Sequence, residues 1–399
     1  MISNSMQNEA SSAVDDIQLI KQQNAAATET YQLQLHSTES ASGKADNQLL
    51  KVGSDSAAQT RSQTESKAVT TYNTGAVNSE DGQSELDLAS LPPLEGYNFR
   101  GLLFEETDVL DLKVEHNGKE VKLMSYRWAP ENERKGVIFM LHGYGSCAPQ
   151  MAVLAKFLAQ SDYEVFALDY RGHGDSEGER GTFLSTEQVY SDCWALIFES
   201  CKKFKIDQQR TPIFLFGRSF GGLLATNMAN TLIGKCMFSG VVLLTPYYRL
   251  FTERLYEAYK WLIPLTNVRP NHKFMCEFSE MDPDWAARYQ PILEDPRNVN
   301  HFTATTARLW VEQQELARTS ISEAPQPICF IAATEDGVVR NDYIEDFAEL
   351  SLNEQNEYHS VVGADHTDIV FDEKYGSQVI RATTNFLDKL IDCGEPAAF

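Results

Sequence analysis

Beyond residue 130, six short apolar runs alternate with helix-length stretches, and this rhythm restricts the fold more than any other feature of the chain. The runs are Gly136–Leu141, Glu164–Leu168, Pro212–Phe216, Gly240–Leu244, Pro327–Ala332 and Glu357–Val362. Between them lie Pro149–Gln160, Thr186–Phe204, Gly222–Leu232 and Asn341–Leu350, and Ser377–Ile391 closes the series. Continuous apolar runs are what strands buried on both faces require, and helical crossovers between them predict a mostly parallel sheet flanked by helices. Upstream, Leu110–Val114 and Val121–Trp128 alternate apolar with polar around His116-Asn117-Gly118, with one slip of phase at Leu123-Met124. Asn-Gly readily takes the positive φ angles of a tight turn, so a hairpin should add antiparallel strands at one sheet edge.

Two segments fall outside this rhythm. Of 42 aromatic residues only Tyr31 and Tyr72 precede position 91, and 38 of the first 90 residues are Ser, Thr, Gln or Asn. Such a stretch cannot bury enough surface to offset its chain entropy, so residues 1–92 are expected to be a disordered polar tail. Between Pro246 and Glu323 there is no strand run, but Leu255, Tyr259 and Leu262 recur at helical spacing, followed by Trp285, Tyr289, Trp310 and Leu316. Residues 246–323 are therefore expected to form a helical insertion over the C-terminal ends of the strands. It would divide a core of residues 93–245 and 324–399.

The formal net charge of −23 leaves no basic face able to track a phosphate backbone, which argues against nucleic-acid binding. Electrostatic docking on anionic lipid is disfavoured for the same reason, whereas transient hydrophobic contact with a membrane surface through the insertion is compatible with it. No basic-then-apolar leader starts the chain and no run of about 18 apolar residues exists, so the expected location is cytoplasmic, or peripheral at membranes. The seven cysteines (147, 193, 201, 236, 276, 329 and 393) are widely spaced and read as reduced core residues, not as disulfides or a zinc site.

Gly217-Arg218-Ser219-Phe220-Gly221-Gly222 carries the strongest chemical signal. It fits G-x-S-x-G between a buried strand and a small-residue helix, where a sharp turn lifts a serine hydroxyl clear of the sheet. A serine hydroxyl needs a base within hydrogen-bond reach. Of eight histidines, His366 alone sits in a loop after the last predicted strand and before the last helix. His36 falls in the tail and His116 in the hairpin turn; His142 and His173 lie in Gly-rich loops, His272 and His301 in the insertion. His359 is inside a predicted strand and is expected to be structural. The third member is a carboxylate that orients the imidazole, and Asp336 follows its strand in Thr334-Glu335-Asp336-Gly337-Val338, with Glu335 as the nearest competitor.

Leu141-His142-Gly143-Tyr144-Gly145-Ser146 follows the first parallel strand, and such a turn can aim a backbone N–H at a tetrahedral oxyanion. The two donors are assigned to the amides of Tyr144 and Phe220, and His142 is read as a brace of the loop. The Asp169–Gly178 run mixes His, Asp and Gly but fits neither a zinc site nor a P-loop, so it is read as a scaffold turn. No metal and no organic cofactor is called for.

These motifs together resemble the α/β-hydrolase superfamily, and within it the monoacylglycerol lipase and lysophospholipase-like branch. The resemblance covers about residues 100–392 and rests on His142–Gly145, Gly-His-Gly-Asp-Ser-Glu-Gly at the end of Asp169–Gly178, Gly217–Gly222, Thr334–Val338 and Ala364-Asp365-His366. It implies the α/β-hydrolase fold with a cap over an acyl-chain channel, and a serine carboxylester hydrolase whose triad falls on Ser219, Asp336 and His366. The substrate implied is a small lipid ester, a monoacylglycerol or lysophospholipid, cleaved through an acyl-enzyme. An esterase, acyltransferase or peptidase acting on a soluble molecule would use the same triad. A hydrolase fold serving only as an interaction module is the alternative of another class, and partners of the tail are unknown. Arg218 and Phe220 depart from the branch, whose members often carry His or Glu before the serine and Met after it.

Overall fold

The computed structural model describes residues 70–72, 88–99, 108–116, 119–249, 268–275 and 283–393. The strands, in chain order, are β1 (Thr70–Tyr72), β2 (Asp108–His116), β3 (Lys119–Trp128), β4 (Gly136–Leu141), β5 (Tyr163–Leu168), β6 (Ile213–Arg218) and β7 (Gly240–Leu244). They continue with β8 (Lys273–Met275), β9 (His301–Thr303), β10 (Ile328–Ala333) and β11 (Glu357–Val361). The helices are α1 (Ala152–Gln160), α2 (Thr186–Lys203), α3 (Phe220–Ala229), α4 (Leu232–Met237), α5 (Pro283–Leu293), α6 (Ala304–Glu323), α7 (Asn341–Leu350), α8 (Asp368–Phe371) and α9 (Glu373–Asp392).

Among the described residues, nine strands form one sheet in the order β1-β11-β10-β7-β6-β4-β5-β3-β2, with β8 and β9 apart as an antiparallel pair. From β1 to β5 the sheet is parallel; β3 runs antiparallel to β5, and β2 to β3. The parallel strands are apolar on both faces because both faces are covered. Val137, Phe139 and Leu141 of β4 point into a cluster with α2, α3, α6 and α7. Ile138 and Met140 point the other way, onto α1, α8 and α9. Removing a side chain such as Phe139 from water contributes about 1.5–3 kcal/mol. Helix starts are written locally: Ser185, Thr303 and Asp372 each accept a backbone N–H at the heads of α2, α6 and α9.

The slip of phase at Leu123-Met124 is not a bulge. The β2–β3 register runs unbroken from Asp108↔Arg127 to His116↔Lys119. Leu123 packs into one apolar cluster and Met124 against the other, so β3 is apolar on both faces at that point.

Three expectations are corrected. Thr70–Tyr72, inside the stretch expected to lack structure, pairs in parallel with β11, where an open sheet edge offers main-chain partners. Packing begins at Leu88, before the expected boundary at residue 92, because Leu88, Leu91 and Leu94 lie on the α9 side of the sheet and the Leu94 amide donates to Ser377 Oγ at 2.8 Å. The region from Pro246 to Glu323 does contain strands, β8 and β9, too short at three residues each to show a period of two in the sequence. Within that region α6 packs in the same cluster as α2 and α3, while the helical pattern at Leu255, Tyr259 and Leu262 lies outside the described residues.

No helix among the described residues is long and apolar enough to cross a membrane. The six described cysteines are free. Cys147, Cys193, Cys201 and Cys329 are buried, but Cys236 and Cys393 are exposed, contrary to a core role for all of them.

Candidate active site

The chain leaves β4, forms β5 on one side of it, then returns to form β6 on the other. Such a switch point opens a crevice at the carboxyl ends of the strands. Ser219 leaves β6 there with φ 53° and ψ −118°, a conformation that costs a non-glycine residue of order 1–3 kcal/mol. It is held from both sides: the Ser219 amide donates to Leu244 O at 2.9 Å, and the Tyr247 amide donates to Ser219 O at 3.0 Å.

The two glycines of the turn are demanded by close approach. A Cβ at Gly221 would stand 2.0 Å from Leu141 O, and one at Gly217 would stand 2.3 Å from Gly221 O. Gly221→Ala should therefore force β4 and α3 apart. Its expected cost is at least about 3 kcal/mol in urea unfolding.

His366 and Asp336 arrive from the ends of β11 and β10. The His366 Nε2 lies 3.0 Å from Ser219 Oγ, and its Nδ1 lies 2.7 Å from Asp336 Oδ2. Asp336 is 4% exposed, and its other oxygen accepts the amides of Val338 and Val339, both at 2.8 Å. Its competitor Glu335 is exposed, joined through its backbone amide to Ala364 O. His359 sits on β11 with its Nε2 3.0 Å from Glu357 Oε2, away from this line.

The His142–Gly145 loop lies against the serine, close enough that a Cβ on Gly143 would be 3.3 Å from Ser219 Cβ. His142 is buried, and burial pushes its imidazole down to about 3, so it is neutral. The Tyr170 amide donates to its Nε2 at 3.3 Å, so Nδ1 carries the proton and donates to Gly143 O at 2.7 Å. This bond pattern makes it a brace. The Tyr144 hydroxyl lies 2.9 Å from Gly181 O and 2.8 Å from His301 O. Phe220 is the first residue of α3, so its amide has no partner within the helix, while its ring stacks on Phe183 at 5.2 Å.

The Asp169–Gly178 run ties neighbouring segments together. Asp169 is fully buried, and burial pushes its carboxyl up to about 6. It accepts the amides of Ala148 at 2.7 Å and Asp175 at 2.9 Å, and the Tyr126 hydroxyl at 3.1 Å.

Sequence reasoning missed a clamp on the same loop. The Val299 amide donates to Gly145 O at 2.8 Å, and Arg180 donates to the carbonyls of Gly174, Arg297 and Asn298. Only the exclusion of side chains at Gly145 and Gly181 hinted at it, and that became visible once Val299 and His301 were seen beside them.

Comparison with known proteins places the chain in a family. The family model described as serine aminopeptidase, S33, matches residues 132–374, more than half of the chain. Human monoglyceride lipase is 34% identical over 119 residues, 30% of this chain and 37% of that protein. Caffeoylshikimate esterase of Arabidopsis thaliana is 31% identical over 155 residues, 37% of this chain and 46% of that protein. The alignments thus span less than half the length of these curated relatives. The crystal structure of a soluble variant of monoglyceride lipase from Saccharomyces cerevisiae, in complex with a substrate analog, shares the fold. It superposes with a TM-score of 0.61 at 20% identity, covering 71% of this chain and 97% of that one. The chain belongs to the α/β-hydrolases, in the family described as serine aminopeptidase, S33, with monoglyceride lipases among its relatives.

Proposed function

We propose that the protein is a serine carboxylester hydrolase that cleaves a single acyl ester, a monoacylglycerol or lysophospholipid, through an acyl-enzyme. The observation that carries this reading is the unbroken line from Ser219 Oγ to His366 Nε2 and from His366 Nδ1 to buried Asp336. In this reading His366 takes the Ser219 proton as the hydroxyl oxygen attacks the ester carbonyl, and Asp336 holds the imidazole and offsets its charge. The amides of Tyr144 and Phe220 stabilise the oxyanion, each worth about 3 kcal/mol of barrier. His366 then protonates the leaving alcohol, and water activated by the same imidazole releases the fatty acid. No metal or cofactor enters any of these steps.

The same proposal divides the chain into a polar tail that ends before Leu88 and contributes β1 to the sheet, a core of 88–245 and 324–399, and a cap of 246–323 with α6 as its packed base. The cap would cover the acyl channel and supply transient contact with a membrane surface, in a protein placed in the cytoplasm.

A second reading, a soluble-ester hydrolase or peptidase on the same triad, is favoured by the likeness to caffeoylshikimate esterase and by the aminopeptidase name of the family. A panel of monoacylglycerols and lysophospholipids of increasing chain length, beside short acyl esters, a caffeoyl ester and an aminoacyl amide, separates the two. The lipid reading predicts that kcat/KM rises with acyl length, with the Ser219→Ala protein as the blank. Activity confined to the short, caffeoyl or amide substrates would replace it with the second reading.

A further inference from the structure

Arg218 immediately precedes Ser219, yet its side chain reaches a different loop. It is 7% exposed, and Nη2 donates to the main-chain carbonyl of His366 at 2.9 Å. The guanidinium lies 5.5 Å over the Phe371 ring, within electrostatic reach of the Asp336 and Asp365 carboxylates, and Nε has no hydrogen-bond partner among the described residues. Burial lowers its pKa only to about 10, so it is a cation at neutral pH. A buried cation is a costly way to fill space, which calls for a role beyond packing.

The loop supplies that role. On one side the His366 loop is tied down by two bonds: the Glu335 amide donates to Ala364 O at 2.9 Å, and the Gly363 amide donates to the Thr334 side-chain Oγ1 at 2.9 Å. On the far side Asp365 Oδ1 caps it by accepting the amides of Thr367 at 2.7 Å and Asp368 at 2.6 Å. Between these anchors the peptide of His366 itself is held by Arg218. We infer that Arg218 is a positioning residue that couples the serine's strand end to the histidine's loop, fixing the separation between Ser219 Oγ and His366 Nε2. This rests on the catalytic reading above. The strand carrying the nucleophile thereby sets the place of its base.

The test compares wild type with Arg218→Met and Arg218→Lys, measuring kcat, KM, thermal midpoint and the rate of labelling by a serine-directed phosphonate on protein purified as folded monodisperse material. Because displacement of a catalytic group by about 1 Å can cost a hundredfold, Arg218→Met is expected to lower kcat and the labelling rate by about ten- to a hundredfold. KM should stay within about twofold, since the substrate-binding surface is untouched. Arg218→Lys should fall between the two, because an ammonium on a shorter stem cannot place the same donor on the His366 carbonyl. A folded Met variant with wild-type kcat and labelling rate would overturn the inference. If the Met variant does not fold, a Lys variant equal to wild type in both rates would overturn it as well. Wild-type protein that neither hydrolyses esters nor takes the label would defeat the catalytic reading instead, so the two failures are distinguishable.

Discussion

Replacing Ser219 with alanine is expected to lower kcat for ester hydrolysis by on the order of 10⁶-fold, leaving the residual rate that binding and oxyanion donors alone supply. His366→Ala should fall to about the same level, and the double variant scarcely further, because nucleophile and base act as one unit. The Ser219 change deletes a single oxygen from a turn held by its backbone, through Leu244 O and Tyr247 N, so the thermal midpoint should barely move. Alanine keeps the Cβ that makes a φ of 53° costly, so that strain stays in place. Steady-state hydrolysis of a chromogenic ester, with unfolding followed in parallel, reads both quantities. A Ser219→Ala protein with more than a few per cent of wild-type kcat would remove this residue from the chemistry.

Asp336→Asn should cost about 10⁴-fold in kcat, and the reason is a matter of which proton sits where. The inner oxygen of Asp336 accepts two backbone amides, from Val338 and Val339. An asparagine would keep its carbonyl oxygen on those donors, since turning its NH₂ toward them would set donor against donor. Its NH₂ would then face His366 Nδ1, which would have to become an acceptor. The imidazole proton moves to Nε2, and a protonated Nε2 cannot take the proton of Ser219. The geometry survives while the tautomer is wrong. Stability should change little, and the loss should ease at high pH only to the extent that Ser219 ionises without help. An Asn variant with wild-type kcat would show that Asp336 is not the orienting carboxylate.

What could be read from the sequence, and what could not, follows from the range of the interactions involved. The strands were legible because burial on both faces leaves a continuous apolar run, as in Gly136–Leu141, whose bounds in the structure are the same. The turn at Ser219 was legible because its steric demands fall on Gly217 and Gly221, within two residues of the serine itself. His366 and Asp336 could be picked out because each follows a strand at the same end of a parallel sheet, where topology brings loops together.

The illegible parts are those where the partner is remote or the element is too short. The amide of Val299 on Gly145 O joins residues with no shared pattern. Arg218 looks like an ordinary variable position of the motif until its guanidinium is seen on the carbonyl of His366, 148 residues away. The strands β1, β8 and β9 hold three residues each, which is too few to reveal a period. Leu88 sits in a polar composition that hides its place, and only its docking with Leu91 and Leu94 on the α9 side reveals where the packed structure starts.

In the proposed reaction Ser219 is a nucleophile activated by His366. Folded protein treated with a serine-directed fluorophosphonate, with the adduct located by peptide mass spectrometry, reads this out. One adduct is expected, on the peptide containing Ser219, absent from Ser219→Ala and formed at least about a thousandfold more slowly in His366→Ala. Folded wild-type protein that takes no label, or that takes it elsewhere with Ser219 unmodified, would contradict it.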